Sequence, residues 1–296
     1  MQRVILTTLI LLALVSCAPA PSSSSSSLPS TPPAQTYIEN KGSDTIVNLA
    51  LAWAERYQEL HPEVRISVTG GGSGTGIAAL INGTVDIANA SRQIKPEERE
   101  KAEANGVTPV EFVIARDAIA VIVHPDNPVE RLTLQQISDI YSGKITNWAE
   151  VGGEDRPIVR LSRETNSGTH VYFLEEVIRL GEKENKTLFS MDTLLLPSSE
   201  GIINEVRQNP NAIGYDGLGY VPPDLKTIAI ARDADSPYVL PSVETVNDGS
   251  YPIARDLYMY TAGEPTGVVK EYLEWILSSE AQQIVRDLGF VPIVVP

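Results

Sequence analysis

The sequence predicts an α/β fold in which sheets are covered by helices on both faces. Three observations carry this reading. Strand-like and helix-like stretches alternate through most of the chain. About 260 residues follow a Ser/Pro-rich N-terminal stretch, enough for two lobes of ordinary domain size. The run Gly70-Gly71-Gly72-Ser73-Gly74-Thr75-Gly76 joins an alternating apolar segment to a helical one.

In chain order, Thr36 to Glu39 reads as a short strand. Gly42-Ser43-Asp44-Thr45 then leads into a helix. Its apolar residues Ile46, Leu49, Ala50, Trp53, Tyr57 and Leu60 fall at three- and four-residue steps, and Pro62 ends it. Val64, Ile66 and Val68 alternate in a strand, and a helix beyond the glycine run reaches about Asn82. Val85 to Ala90 is a short apolar strand ending at Ser91-Arg92, and Pro96 opens an exposed charged helix through Ala104.

Val110 to Val123 is the longest β-like segment. Arg116-Asp117 interrupts it, so it is either two strands or one that crosses between lobes. Leu132 to Ser142 and Trp148 to Val151 are helical or turn-like. Pro157 to Leu161 is a strand running into Ser162 to Thr169, and a helix over His170 to Leu180 follows with Val171, Phe173, Leu174, Val177 and Ile178 inward. Ile202 to Gln208 reads as a helix, and Ala212 to Tyr215 and Tyr251 to Thr261 read as strands. Pro265 starts a closing pair of helices with Val268, Val269, Tyr272, Leu273, Ile276 and Leu277 as their stripe.

The N-terminus reads as a processing signal. Arg3 precedes an apolar stretch from Val4 to Val15 that is too short to span as a mature helix. Leu14-Val15-Ser16-Cys17 resembles a bacterial lipobox, which implies a signal peptide over 1–16 and lipid attachment at Cys17. Cys17 is the only cysteine, so no internal disulfide can form. An ordinary secretory signal with an incidental cysteine is the alternative. Residues 17–35 are too poor in apolar side chains to pack and read as a flexible linker from the anchor. The expected location is extracytoplasmic, on the bacterial cell membrane.

The formal charge of −15 argues against nucleic acid as a partner. It does not exclude a small anion, because distant surface charge is screened within about 8–10 Å.

Three segments share one design. Gly-Ser-Asp-Thr at 42–45, Gly-Ser-Gly-Thr at 72–75 and Asn-Ser-Gly-Thr at 166–169 each put small hydroxyl residues at the mouth of a helix. Each is explained as an ordinary N-cap when taken alone. Glycine in a first turn costs helix stability, yet lets a ligand approach the backbone closely. Helix N-termini favour anions. The glycine run is not a Walker loop, since no Lys follows its last Gly, and Thr75 spoils a G-x-S-x-G elbow. Arg163, four residues before Ser167, either points its planar guanidinium at an oxyanion or pairs with Glu164 at the surface.

These motifs together resemble the phosphate-binding receptors of ABC phosphate importers. Gly42-Ser43-Asp44-Thr45, Gly70 to Gly76, Val85-Asp86-Ile87-Ala88-Asn89-Ala90-Ser91-Arg92, Arg163-x-x-x-Ser167-Gly168-Thr169 and Tyr251-Pro252-Ile253-Ala254-Arg255 recur there in this order. The resemblance covers essentially everything after the linker. It implies a two-lobed type II periplasmic-binding-protein fold, with lobe one at 37–115 and 244–296, lobe two at 116–243, and hinges near Arg116 and Glu244. It implies phosphate held in the cleft by Ser43, Thr45, Ser73, Gly74 and Ser91 from lobe one, with Asp44 and Arg92 as further candidates of this sequence. Arg163, Ser167, Gly168 and Thr169 would bind from lobe two.

It further implies a monomer that docks on importer permease subunits, needs no cofactor or metal and is not an enzyme. In the family an Asp after the Val-Asp strand accepts a proton from the ligand and so excludes sulfate; here that place reads Ala90-Ser91-Arg92. Asp44 is then either the replacement acceptor or a helix cap, and Arg92 supplies a direct charge in place of the lost polarity.

Three other readings compete, one of them a surface lipoprotein with an adhesive role and no ligand. A receptor for sulfate, molybdate or tungstate would use the same helix mouths. A secreted phosphatase or hydrolase would need a base, and His170 is the one candidate among His61, His124 and His170; it reads as a helix-surface residue.

Overall fold

The computed structural model describes residues 35–293. The expected signal peptide, Cys17 and all but the last residue of the linker lie outside the described residues.

β1 (Thr36–Gly42) enters with Ile38 and Asn40 inward. The chain then turns into α1 (Asp44–Leu60), which buries Ile46, Leu49, Ala50, Trp53 and Tyr57. Leu60, expected on that stripe, is exposed, because the helix has already left the core at its last turn. β2 (Val64–Thr69) returns parallel to β1. Gly71 and Gly72 make the next turn with φ of +110° and +92°, a region open to glycine and strained for other residues, and so bring the chain into α2 (Ser73–Ile81). β3 (Ile87–Ala90) follows on the other side of β1, then α3 (Pro96–Ala104).

β4 (Pro109–Val123) is one continuous strand, which resolves the Arg116-Asp117 ambiguity. Its first part pairs with β11 and its last part with β8, so it carries the chain from lobe one to lobe two. Lobe two adds β5 (Arg131–Thr133), α4 (Leu134–Tyr141), β6 (Val159–Arg163) and α5 (Gly168–Tyr172), which continues as a π-helical turn over Phe173–Ile178. β7 (Leu194–Leu196), α6 (Ser199–Gln208), β8 (Ala212–Gly217), β9 (Lys226–Thr227), β10 (Ala229–Ala231) and α7 (Val243–Asn247) complete it. β11 (Ala254–Ala262) leads back to lobe one, where α8 (Gly267–Ile276) and α9 (Ser279–Asp287) close the fold. The main sheet runs β2-β1-β3-β11-β4-β8-β6-β7, with β9 also on β4.

Helices cover both faces of each half. In lobe one, Trp53, Leu49, Met259, Tyr272 and Ile276 form one core, and Ile77, Leu80, Ala88 and Tyr260 form another on the opposite face. In lobe two, Val121, Ile137, Trp148, Phe173 and Tyr215 lie on one side, with Ile122, Leu161, Ile202 and Val206 on the other.

Residues 246–253 belong with lobe two. Val246, Tyr251 and Ile253 pack in its core, Tyr251 Oη donates to Ile119 O (2.7 Å), and Ile119 N donates to Ile253 O (2.9 Å). We therefore place the second crossing at Ile253 to Arg255 rather than near Glu244. No helix among the described residues is long and apolar enough to cross a membrane.

Candidate functional site

The three helix mouths meet. Ser43 precedes α1 but does not cap it: its Oγ donates instead to Ser91 Oγ (2.9 Å) at the end of β3. Ser73, the first residue of α2, lies 3.3 Å from Ser91 Oγ and accepts from Ser91 N (3.0 Å) through its own Oγ. Gly168 opens α5 from the other lobe, and a Cβ there would stand 2.6 Å from Ser91 Oγ and even closer to Ser73 Oγ. Thr45 Oγ1 and Thr169 Oγ1 meet across the lobes at 2.8 Å. Ser43, Thr45, Ser73, Ser91 and Thr169 are all buried. The result is a cradle of hydroxyls set at helix N-termini, where unpaired N–H groups and the helix dipole favour an anion.

The remaining expected site residues do other work in this conformation. Ser167 caps α5, accepting from Thr169 N (3.2 Å) and His170 N (3.5 Å). Gly74 gives its N–H to Asn166 O (3.0 Å) of the other lobe. Arg163 does not present an open fork. Its Nη1 donates to Ser199 Oγ (2.9 Å), and its Nη2 to Asp44 Oδ2 (2.7 Å) and Pro197 O (2.9 Å), leaving Nε unpartnered and buried.

Asp44 is thus neither a helix cap nor turned to the cradle. It pairs with Arg163 across the cleft and accepts from Gly71 N (3.0 Å). Arg92 is held two-pronged by Glu98, at 2.7 and 2.8 Å. Its charge is therefore neutralised at the start of α3 rather than spent on the cradle. His170 is buried, not on the helix surface. Its Nδ1 meets Ser162 Oγ at 2.9 Å and its ring stacks on Phe189, with burial pushing it down to about 4.

Several groups stand in the quoted sequence motifs without a role at the site. Arg255 donates to Ser91 O (2.9 Å), Thr169 Oγ1 (2.9 Å) and Asp117 Oδ2 (3.0 Å). Burial pushes Asp117 up to about 6, against the pull of Arg255, and likewise raises Asp216, which lies 3.7 Å from Arg163. Asn166 ties its Nδ2 to Gly71 O (2.9 Å). The available signal is charge inside apolar strands: Asp117 and Arg255 sit where a buried ionisable group needs a partner.

Beside the cradle lies a second interlobe pocket of about 500 Å³, lined by Arg92, Lys95, Tyr172, Glu176, Arg255 and Tyr258 among others. Its charges are of both signs, unlike the hydroxyl-lined cradle. Among the described residues no cluster of His, Cys, Asp and Glu could hold a metal ion.

Comparison with known proteins gives the family. The PBP superfamily domain matches residues 29–280. Phosphate-binding protein PstS of Pseudomonas aeruginosa is 33% identical over 273 residues, covering 86% of this chain and 83% of that one. A solved structure from Clostridium perfringens is described as a putative phosphate ABC transporter substrate-binding protein with bound phosphate. It aligns with a TM-score of 0.77 at 34% identity, over 88% of this chain and 100% of that one. An ABC-type phosphate transport receptor from Vibrio cholerae gives 0.69 at 30% identity, over 86% and 100%. The fold is the two-lobed type II arrangement of periplasmic binding proteins, and the chain belongs to the PstS family of phosphate-binding proteins.

Proposed function

We propose that this protein binds inorganic phosphate between its lobes and delivers it to an ABC importer. One observation carries the reading: the Ser73 and Ser91 hydroxyls of lobe one, with Ser43 bonded to Ser91, converge on Gly168 at the mouth of a lobe-two helix. Such a cradle offers donors from several directions to a compact oxyanion. Hydrogen bonds to a charged group contribute about 1.5–3 kcal/mol each. Micromolar binding needs only about 8 kcal/mol, so a handful suffices after desolvation takes its share.

In this reading Ser43, Thr45, Ser73, Ser91, Gly168 and Thr169 contact the ion. Ser167 sets the helix mouth. Arg163 acts from behind the cradle, with its Nε–H as the group left to turn toward the guest. Asp44 holds the lobes together around it. The family is one of substrate receptors, and we assign this chain no catalysis; buried His170 is tied into a structural network with Ser162 and Tyr215. Extracytoplasmic placement, a lipid anchor on Cys17, a monomeric state and docking on permease subunits complete the proposal.

Isothermal titration tests it. Phosphate should bind one-to-one with micromolar or tighter affinity, and sulfate far more weakly. At 100 times Kd, phosphate should add about 2.7 kcal/mol of stability. No heat and no thermal shift with phosphate would overturn the reading, and stronger binding of sulfate or molybdate would change the ligand.

A further inference from the structure

Arg255 is a buried cation of the cleft to which the reading above gives no role. It lies on β11 where the chain crosses between lobes, and its side chain is 2% exposed. Its Nη1 reaches Ser91 O at 2.9 Å, in lobe one. Its Nη2 reaches Asp117 Oδ2 on β4 at 3.0 Å and Thr169 Oγ1 in lobe two at 2.9 Å. Thr45 Oγ1 lies farther from Nη2, at 3.5 Å. Nη2 carries two hydrogens, so Asp117 and Thr169 take them and Thr45 is reached only through Thr169. The Tyr172 ring covers the guanidinium, 5.6 Å from Cζ to the ring centre.

This wiring fills one acceptor position of Thr169 Oγ1. Thr169 Oγ1 accepts from a cation, so its own hydrogen must go elsewhere. Either it donates to Thr45 and Thr45 donates onward, or Thr45 donates to it and Thr169 donates onward. In both arrangements one hydrogen of the pair remains for a guest. A charged donor feeding the chain strengthens that last bond. Asp117 meanwhile fixes the guanidinium and cancels its charge, so the effect is one of orientation and polarisation more than of net field.

We propose that Arg255 is a positioning residue for the bound anion, acting through the Thr45–Thr169 pair while its bond to Ser91 O keeps the two halves of the cradle in register. The proposal rests on the cradle being the phosphate site.

The test uses the full chain and inorganic phosphate. Arg255→Gln alone would strand a buried Asp117 and could unfold the protein. The double variant R255Q/D117N removes both charges. It should melt as a folded protein and bind phosphate at least tenfold more weakly, the loss appearing as faster dissociation in stopped flow. Arg255→Lys, which restores the cation but cannot hold all three partners at once, should recover part of that loss. Phosphate affinity of R255Q/D117N within twofold of the unaltered protein, or R255K no better than the double variant, would overturn the proposal. Absence of phosphate binding by the unaltered protein would instead defeat the reading of the site itself.

Discussion

Replacing Gly168 by Ala separates ligand binding from folding more cleanly than any other single change. Gly168 is the first residue of α5, in helical backbone with no left-handed φ to protect. Alanine is the better helix former by up to about 1 kcal/mol, so the backbone gains if anything. The side chain is another matter. A methyl at this point would stand 2.6 Å from Ser91 Oγ and closer to Ser73 Oγ. No real Cβ tolerates that, so either the two hydroxyls turn away or the lobes stand apart. Both outcomes remove at least two donors from a buried anion. At about 1.5–3 kcal/mol per charge-assisted bond, the loss is about 3 kcal/mol or more, a hundredfold or greater in Kd. Paired calorimetric titration and thermal melts would measure both effects. The expected result is phosphate-free stability within about 1 kcal/mol of the parent, with phosphate binding weakened at least a hundredfold. Affinity within threefold of the parent would refute the convergence of hydroxyls on Gly168. A loss of several kcal/mol without ligand would show that the glycine serves packing instead.

Other consequences follow from the same geometry. Asp44→Asn removes the carboxylate that pairs with Arg163 across the lobes at 2.7 Å while keeping an acceptor for Gly71 N; the phosphate-free protein should open, read as a longer distance between spin labels on the two lobes, and an unchanged distance would deny the pair a part in closure. His170, held at about 4 by burial against an ordinary 6.5, takes up its proton less readily folded than unfolded, so its neutral form costs stability as pH falls from 6.5 toward 4. The magnitude is about 3 kcal/mol, and His170→Asn should flatten that part of a denaturation-versus-pH profile. Asp117 runs the opposite way: raised to about 6 from 3.8, it gives stability as pH falls through 6 and withholds it above. Asp117→Asn should therefore become more stable relative to the parent, by about 3 kcal/mol between pH 3.5 and 7, and a pH-independent difference would contradict its burial as a charge.

Local chemistry was legible in the sequence, and long-range pairing was not. Ser43, Ser73, Gly168 and Thr169 stand out because a small hydroxyl or glycine at a helix start is a feature of a few adjacent residues. Even the decision between cap and ligand group needed the fold: Ser43 and Ser167 look alike on paper, yet one turns away from its helix while the other caps it. Arg163 was found, but its partner Asp44 lies 119 residues away in the other lobe, so the open fork expected of it could not be corrected from spacing. The partner of Arg92 is nearer in the chain. Glu98, on the first turn of α3, reaches back to it, and the charged helix start was treated as solvated surface.

Arg255 stands in the Tyr251–Arg255 motif, but its partner depends on the antiparallel pairing of β11 with β4, which sets it beside Asp117. The edge strand β7 has only three residues and α7 only five, too short for periodicity to declare them. The position of the second crossing is not legible in the sequence, because Val246, Tyr251 and Ile253 carry no mark of which core they join.

The most direct test of the central claim is a crystal structure of the protein grown with phosphate. One tetrahedral ion should lie between the lobes, its oxygens within hydrogen-bond distance of the hydroxyls of Ser43, Ser73 and Thr169 and of the Gly168 N–H. An ion seated instead in the neighbouring pocket by Lys95 and Tyr258, or a cleft that stays without one at saturating phosphate, would contradict it.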